Sequence, residues 1–80
     1  MAEQILVIED EEDIREILRY NLEREGFAVS STATGEEGLA LARARVPDLI
    51  LLDLMLPGIQ GLEVCRRLRK HEATASVLLI

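Results

Sequence analysis

Four short apolar runs alternate with three stretches of helical periodicity. Ile5-Leu-Val-Ile8 is compact and rich in β-branched residues, and it reads as a buried strand. From Glu12 to about Glu25, Ile14, Ile17, Leu18 and Leu22 recur at i, i+3, i+4 and i+8, the apolar stripe of an amphipathic helix. Glu12, Arg15, Glu16 and Arg19 fall on its solvated side, and Gly26 is placed to end it in the left-handed conformation. Phe27-Ala-Val-Ser-Ser31 alternates as an edge strand does. Thr34-Gly-Glu-Glu37 has the capping-box spacing and opens a second helix to about Arg45, with Leu39, Ala40, Leu41 and Ala42 as a small packing face. Arg43 and Arg45 suit its carboxyl end, and Pro47 stops it.

Leu49–Leu52 is a continuous apolar run ended by the turn signal Pro57-Gly58, too short for a buried helix. It reads as a strand covered on both faces, in the middle of a parallel sheet. A third helix follows from Gly61 to about Lys70, with Leu62, Val64, Cys65 and Leu68 inward and Arg66, Arg67, Arg69 and Lys70 crowding its far end. Ala75–Ile80 reads as a fourth strand. Right-handed crossovers turn this β-α-β-α-β-α-β order into an α/β domain of three layers, a parallel sheet with helices on both faces. The edge-like second strand and the apolar first and third predict the strand order 2-1-3-4.

Composition narrows the class. Eighty residues, nearly half of them apolar, make one small domain over residues 1–80 with a core marginal for its length. The net charge of −6 argues against direct contact with nucleic acid or an anionic membrane. No apolar run approaches the roughly 20 residues of a membrane span, and the amino terminus lacks the basic region of a secretory signal. A lone cysteine, Cys65, fits a reducing compartment, and the cytoplasm is expected. At its position Cys65 reads as packing rather than as a reactive thiol, and His71, with no second His or Cys nearby, as a solvated residue past the helix end.

The candidate chemistry is carboxylate. Glu9-Asp10-Glu11-Glu12-Asp13 follows the first strand. The macrodipole of the coming helix accounts for Glu11, Glu12 and Asp13 but less well for Glu9 and Asp10. Asp53 ends the third strand in an apolar setting, where an ionised carboxylate is costly unless paired or metal-bound. Taken alone it is either a strand-end cap or a functional group. In the order 2-1-3-4 the topological switch lies between strands 1 and 3, where ligands of open α/β sheets bind. Strands about 4.8 Å apart bring Glu9, Asp10 and Asp53 into one small space. Charges that close repel by several kcal/mol at an effective dielectric of about 20, so either one carboxyl is protonated or a cation sits among them. All-oxygen ligands with room for water favour Mg2+.

Ile5-Leu-Val-Ile-Glu-Asp-Glu11 and the segment from Asp48 through Gly61, with the spacing between them, resemble the receiver domain of two-component response regulators. The Glu-Asp pair and Asp53-Leu-Met-Leu-Pro-Gly58 are most similar to the winged-helix transcription-factor subclass. The resemblance covers all eighty residues and implies a flavodoxin-like fold. It further implies that Asp53 is the phosphoacceptor, that Asp10 holds Mg2+ directly and Glu9 through water, and that the backbone carbonyl of Met55 adds a ligand. It implies a sensor histidine kinase as donor and a DNA-binding effector domain in a longer parent.

The family pattern continues past Ile80 with a fifth strand and two helices, a strand-closing hydroxyl residue, a phosphoryl-pairing Lys and a switch aromatic. The chain is therefore expected to be the amino-terminal part of such a domain. Apolar surface beside helix 1 and a bare edge at strand 4 would then favour a homo-oligomer built through the fourth strand. Two other functions compete with the phosphoacceptor. One is a flavodoxin-like fragment that only self-associates as a structural module. The other is a phosphatase of the haloacid-dehalogenase type, which wants a second Asp where Met55 stands.

Overall fold

The structure, a computed structural model, describes residues 2–53, 61–74 and 78–79. Elements follow in the order β1 Gln4–Ile8, α1 Glu12–Arg24, β2 Ala28–Thr32, α2 Gly35–Ala44, β3 Leu49–Leu52, α3 Gly61–Lys70, a 3-10 turn Glu72–Thr74 and β4 Leu78–Leu79. All pairings are parallel and the sheet order is β2-β1-β3-β4, as the apolar pattern predicts. The Pro57-Gly58 turn and the ends of the expected fourth strand lie outside the described residues.

Alternation along the strands sorts the two faces. Leu6 and Ile8 of β1 and Ile50 of β3 share one face and pack with Leu39 and Ala42 of α2 and Val64 and Leu68 of α3, all buried. This is the main core. The other face carries Ile5 and Val7, buried, with Leu49 and Leu51 half-buried, and α1 lies against β1 and β2. A cavity of about 290 Å3 opens there, lined by Ile5, Leu22, Phe27 and Leu49 among others.

Local chemistry sets the helix ends. Thr34 caps α2: its hydroxyl oxygen accepts from the Glu37 N–H at 3.2 Å and donates to the Glu37 carboxylate at 3.1 Å. Gly26, at φ 95°, closes α1. Its N–H donates to the Glu23 carbonyl at 3.0 Å, while the Phe27 N–H reaches Leu22 at 3.2 Å, the paired bonds of a Schellman end. Gly38 lets α2 approach the sheet, because a Cβ there would fall 2.7 Å from Cγ1 of Ile8 and closer still to its Cδ1.

All three helix faces differ in part from expectation. In α3 the inward residues are Gly61, Val64 and Leu68; Cys65 is half-buried and Leu62 is 68% exposed. Val64 and Leu68, four apart, enter the core, whereas Leu62 lies about 200° around the helix from Val64 and points away. In α2, Ala40 is exposed while Leu39 and Ala42 carry the contact. No residue of α1 is fully buried: Leu18 and Leu22 are half-buried, Ile14 is 40% and Ile17 60% exposed. The stripe is present, but it outreaches the part of the sheet that α1 covers. Among the described residues, no helix is long and apolar enough to cross a membrane.

Candidate functional site

The site grows from the carboxyl ends of β1 and β3. Ile8 lies opposite Leu52 in the last rung between them. One step on, the Asp53 N–H donates to the Ile8 carbonyl at 3.0 Å. On the other side of β1 the Glu9 N–H donates to the Thr32 carbonyl at 3.1 Å. Three neighbouring strands therefore set where Glu9 and Asp53 begin.

The chain then leaves the sheet through Asp10 into α1. Glu11, at the cap position, makes no side-chain cap; its N–H is instead taken by Oε2 of Glu9 at 3.0 Å. That covers one of the open amides at the helix start. Arg15 was expected on the solvated side of α1. The structure corrects this: its Nη1 donates to the carbonyls of Glu9 at 3.0 Å and Asp10 at 3.1 Å. Arg19 likewise turns back, with Nη2 at 3.5 Å from the Val29 carbonyl. Carbonyls just before a helix have no ladder partner, and a guanidinium within reach satisfies them.

Glu9, Asp10 and Asp53 each offer a carboxylate oxygen within 4.8 Å of the others; Glu9 and Asp53 are half-buried and Asp10 is exposed. The sequence expectation that these three converge is met. A cavity of about 280 Å3 at this end of the sheet is lined by Glu9 and Asp53 together with apolar residues that include Val7, Leu18 and Leu51. Partial burial is the largest cause raising the Glu9 carboxyl above the ordinary glutamate range. The side-chain bond to Asp10 and the charges of Asp53 and Asp10 add to it, and the Glu11 N–H offsets part.

Such a set can hold a small hard cation. All donors are carboxylate oxygens, and nothing soft or nitrogenous competes among the described residues. The three oxygens lie within 4.8 Å of one another, close enough that one such cation would be shared among them, with water filling the rest of its shell. The expected fourth ligand, the Met55 carbonyl, lies outside the described residues.

Two structural residues away from the acidic site escaped the sequence reading. Asp48 brackets the start of β3: its Oδ2 accepts from the Gln4 N–H at 2.7 Å, and its own N–H donates to the Gln4 carbonyl at 2.8 Å. Thr74 is buried, and its hydroxyl donates to the Leu68 carbonyl at 2.7 Å, closing the end of α3. Asp after a Pro and Thr after a helix were the available signals. His71 is exposed, as expected.

Comparison with known proteins agrees with this geometry. Residues 5–80 match the response regulator receiver domain family. The phosphate regulon transcriptional regulatory protein PhoB of Rhizobium meliloti is 48% identical over 80 residues, covering 100% of this chain and 35% of that protein. The chain thus spans about a third of the length of such curated relatives. A putative response regulator from Chloroflexus aurantiacus superposes with a TM-score of 0.95 at 32% identity, over 99% of this chain and 65% of that one. The response regulator TrrA of Thermotoga maritima, solved in complex with Mg(2+)-BeF, gives a TM-score of 0.84 at 41% identity, over 88% of this chain and 61% of that one. With a family match over 76 of its 80 residues (5–80), and relatives that are transcriptional regulatory proteins such as PhoB and PhoP, this chain belongs to the response regulator receiver domain family.

Proposed function

We propose that this chain is a phosphoacceptor: Asp53 takes a phosphoryl group from the phosphohistidine of a sensor histidine kinase. The observation that carries the reading is the convergence of Glu9, Asp10 and Asp53 at the switch point between β1 and β3. Asp10 and Asp53 would hold Mg2+ directly, Glu9 through water, and the Met55 carbonyl would complete the protein's share. When bound, Mg2+ offsets the charge that three carboxylates and an arriving phosphoryl group bring together.

The remaining chemistry belongs to the chain. The Asp53 carboxylate oxygen attacks phosphorus in line with the departing imidazole nitrogen. The new O–P bond forms as the P–N bond breaks, and the imidazole leaves with the electron pair and takes up a proton. The product is an aspartyl phosphate on the chain itself, so the chain is modified rather than turning over a substrate. Asp53 begins at a strand rung and not in a free loop, which fixes its backbone relative to that of Glu9. The net charge of −6 leaves any DNA contact to an effector domain of a longer protein, and a cytoplasmic setting follows from the proposed donor.

Incubation with acetyl phosphate and Mg2+, read by intact mass, tests the proposal. One added phosphoryl group that needs Mg2+ supports it; a mass unchanged under all conditions overturns it.

A second reading, self-association, is favoured by the exposure of Ile14 and Ile17 on α1. It is compatible with the first, since the acidic site opens at the sheet's carboxyl edge.

A further inference from the structure

The turn from β1 into α1 carries both Glu9 and Asp10, and Glu11 at the cap position makes no side-chain cap bond. Besides the Glu9 Oε2 that accepts from the Glu11 N–H, a single guanidinium nitrogen, Nη1 of Arg15, holds the carbonyls of Glu9 and Asp10 at 3.0 and 3.1 Å. Arg15 is half-buried and stands one helical turn past Glu11; its own N–H is bonded to the Glu11 carbonyl at 3.0 Å. The side chain thus reaches back over the helix start to grip the two peptides that present the acidic pair.

We infer that Arg15 is a positioning residue for the acidic site, acting through the backbone of Glu9 and Asp10 to hold their carboxylates toward Asp53. The inference rests on the metal-binding reading above.

Two consequences of a cation here oppose one another, and that makes the inference decidable. A guanidinium close to the acidic triad repels a second cation, so by charge alone its removal tightens Mg2+ binding. By geometry its removal frees two peptides and lets Glu9 and Asp10 wander, so binding weakens. Groups that orient metal ligands are commonly worth about tenfold or more in affinity. Because the bonds run to carbonyls and not to carboxylates, geometry governs. The guanidinium spends its directional donors on the backbone and leaves the carboxylate oxygens to the site.

The test is Mg2+ affinity in the full chain, followed by amide chemical shifts at Glu9, Asp10 and Asp53, for the parent, Arg15→Ala, Arg15→Lys and, as a control on the same helix, Arg24→Ala. The expected result is a loss of roughly tenfold in Arg15→Ala, partial recovery in Arg15→Lys, whose ammonium reaches one carbonyl, and parent-like binding in Arg24→Ala. Equal or tighter binding in Arg15→Ala overturns the inference while leaving the metal site intact. Absence of any Mg2+ response in the parent overturns the metal reading and this inference with it. If Arg15→Ala loses its cooperative melt, Arg15→Lys against the parent decides: a folded Lys variant with unchanged affinity is then the contradicting result.

Discussion

The N–H of Asp53 lies 3.0 Å from the carbonyl of Ile8, to which it donates, one step beyond the last paired rung of β1 and β3. That bond ties the proposed acceptor to the strand whose next residue is Glu9. It places the charged end of an apolar strand beside a second carboxylate without a loop intervening. Anything that shifts Ile8 should therefore be felt in the site.

Gly38 supplies such a perturbation. Gly38→Ala gains up to about 1 kcal/mol of helix propensity. It also forces a Cβ into the fully buried Ile8 side chain, and overpacking of this kind costs about 1–3 kcal/mol. The net expectation is a loss of between about 0 and 3 kcal/mol in urea unfolding, with amide shifts at Glu9 and Asp53. A variant more stable than the parent, or one without those shifts, would contradict the packing described.

Asp10→Ala should abolish the Mg2+-induced amide shifts near Asp53 while leaving the melt nearly unchanged, since Asp10 is exposed. With few protein ligands and several retained waters, affinity in the parent is expected in the millimolar range, roughly. Shifts as large in the variant as in the parent would remove Asp10 from the site.

The raised Glu9 carboxyl makes a prediction about pH. A group whose folded pKa lies above its unfolded one holds its proton more tightly when folded. Its contribution to stability is therefore fully present below the unfolded value and lost as pH rises through the folded value. In buffer free of divalent cations, the parent should lose stability across that window, and Glu9→Gln should not. Asp10, Asp53 and the Arg15 guanidinium stay in place in both, so the difference between the two urea midpoints isolates Glu9. Parallel pH profiles would contradict the electrostatic account.

Self-association has a separate test. Ile14 and Ile17 are exposed on α1, and β4, at the sheet edge, is paired with β3. A contact that buries them should give a sedimentation mass that rises at micromolar concentration and falls back in Ile17→Lys. A monomer whose melt is independent of concentration would sink this reading.

The sequence made the strand order legible because Ile5–Ile8 and Leu49–Leu52 are continuous apolar runs while the segment of β2 mixes apolar and polar residues, which puts β1 and β3 at the centre of the sheet. It made the acidic site legible because Glu9-Asp10 and Asp53 each end such a strand. Helix faces were harder. In α3, Leu62 and Val64 are comparable by hydropathy, and only the position of Ile50 beneath the helix selects Val64. Arg15 was read as solvent-facing because periodicity says where a side chain starts and not where a long one ends. Its role at the Glu9 and Asp10 carbonyls depends on a turn geometry that no spacing encodes. The exposure of Ile14 and Ile17 likewise depends on how much of the sheet α1 covers, a tertiary quantity.

The central claim is that Asp53 is the acceptor, and the most direct measurement locates the phosphoryl group. The chain is phosphorylated with acetyl phosphate and Mg2+, then reduced with borohydride, which converts an aspartyl phosphate to homoserine, and its peptides are sequenced by mass spectrometry. Homoserine at position 53, with no phosphoryl uptake in Asp53→Ala, is the expected result. Homoserine at Asp10 or Asp48 in the parent, or undiminished uptake in Asp53→Ala, would contradict the account.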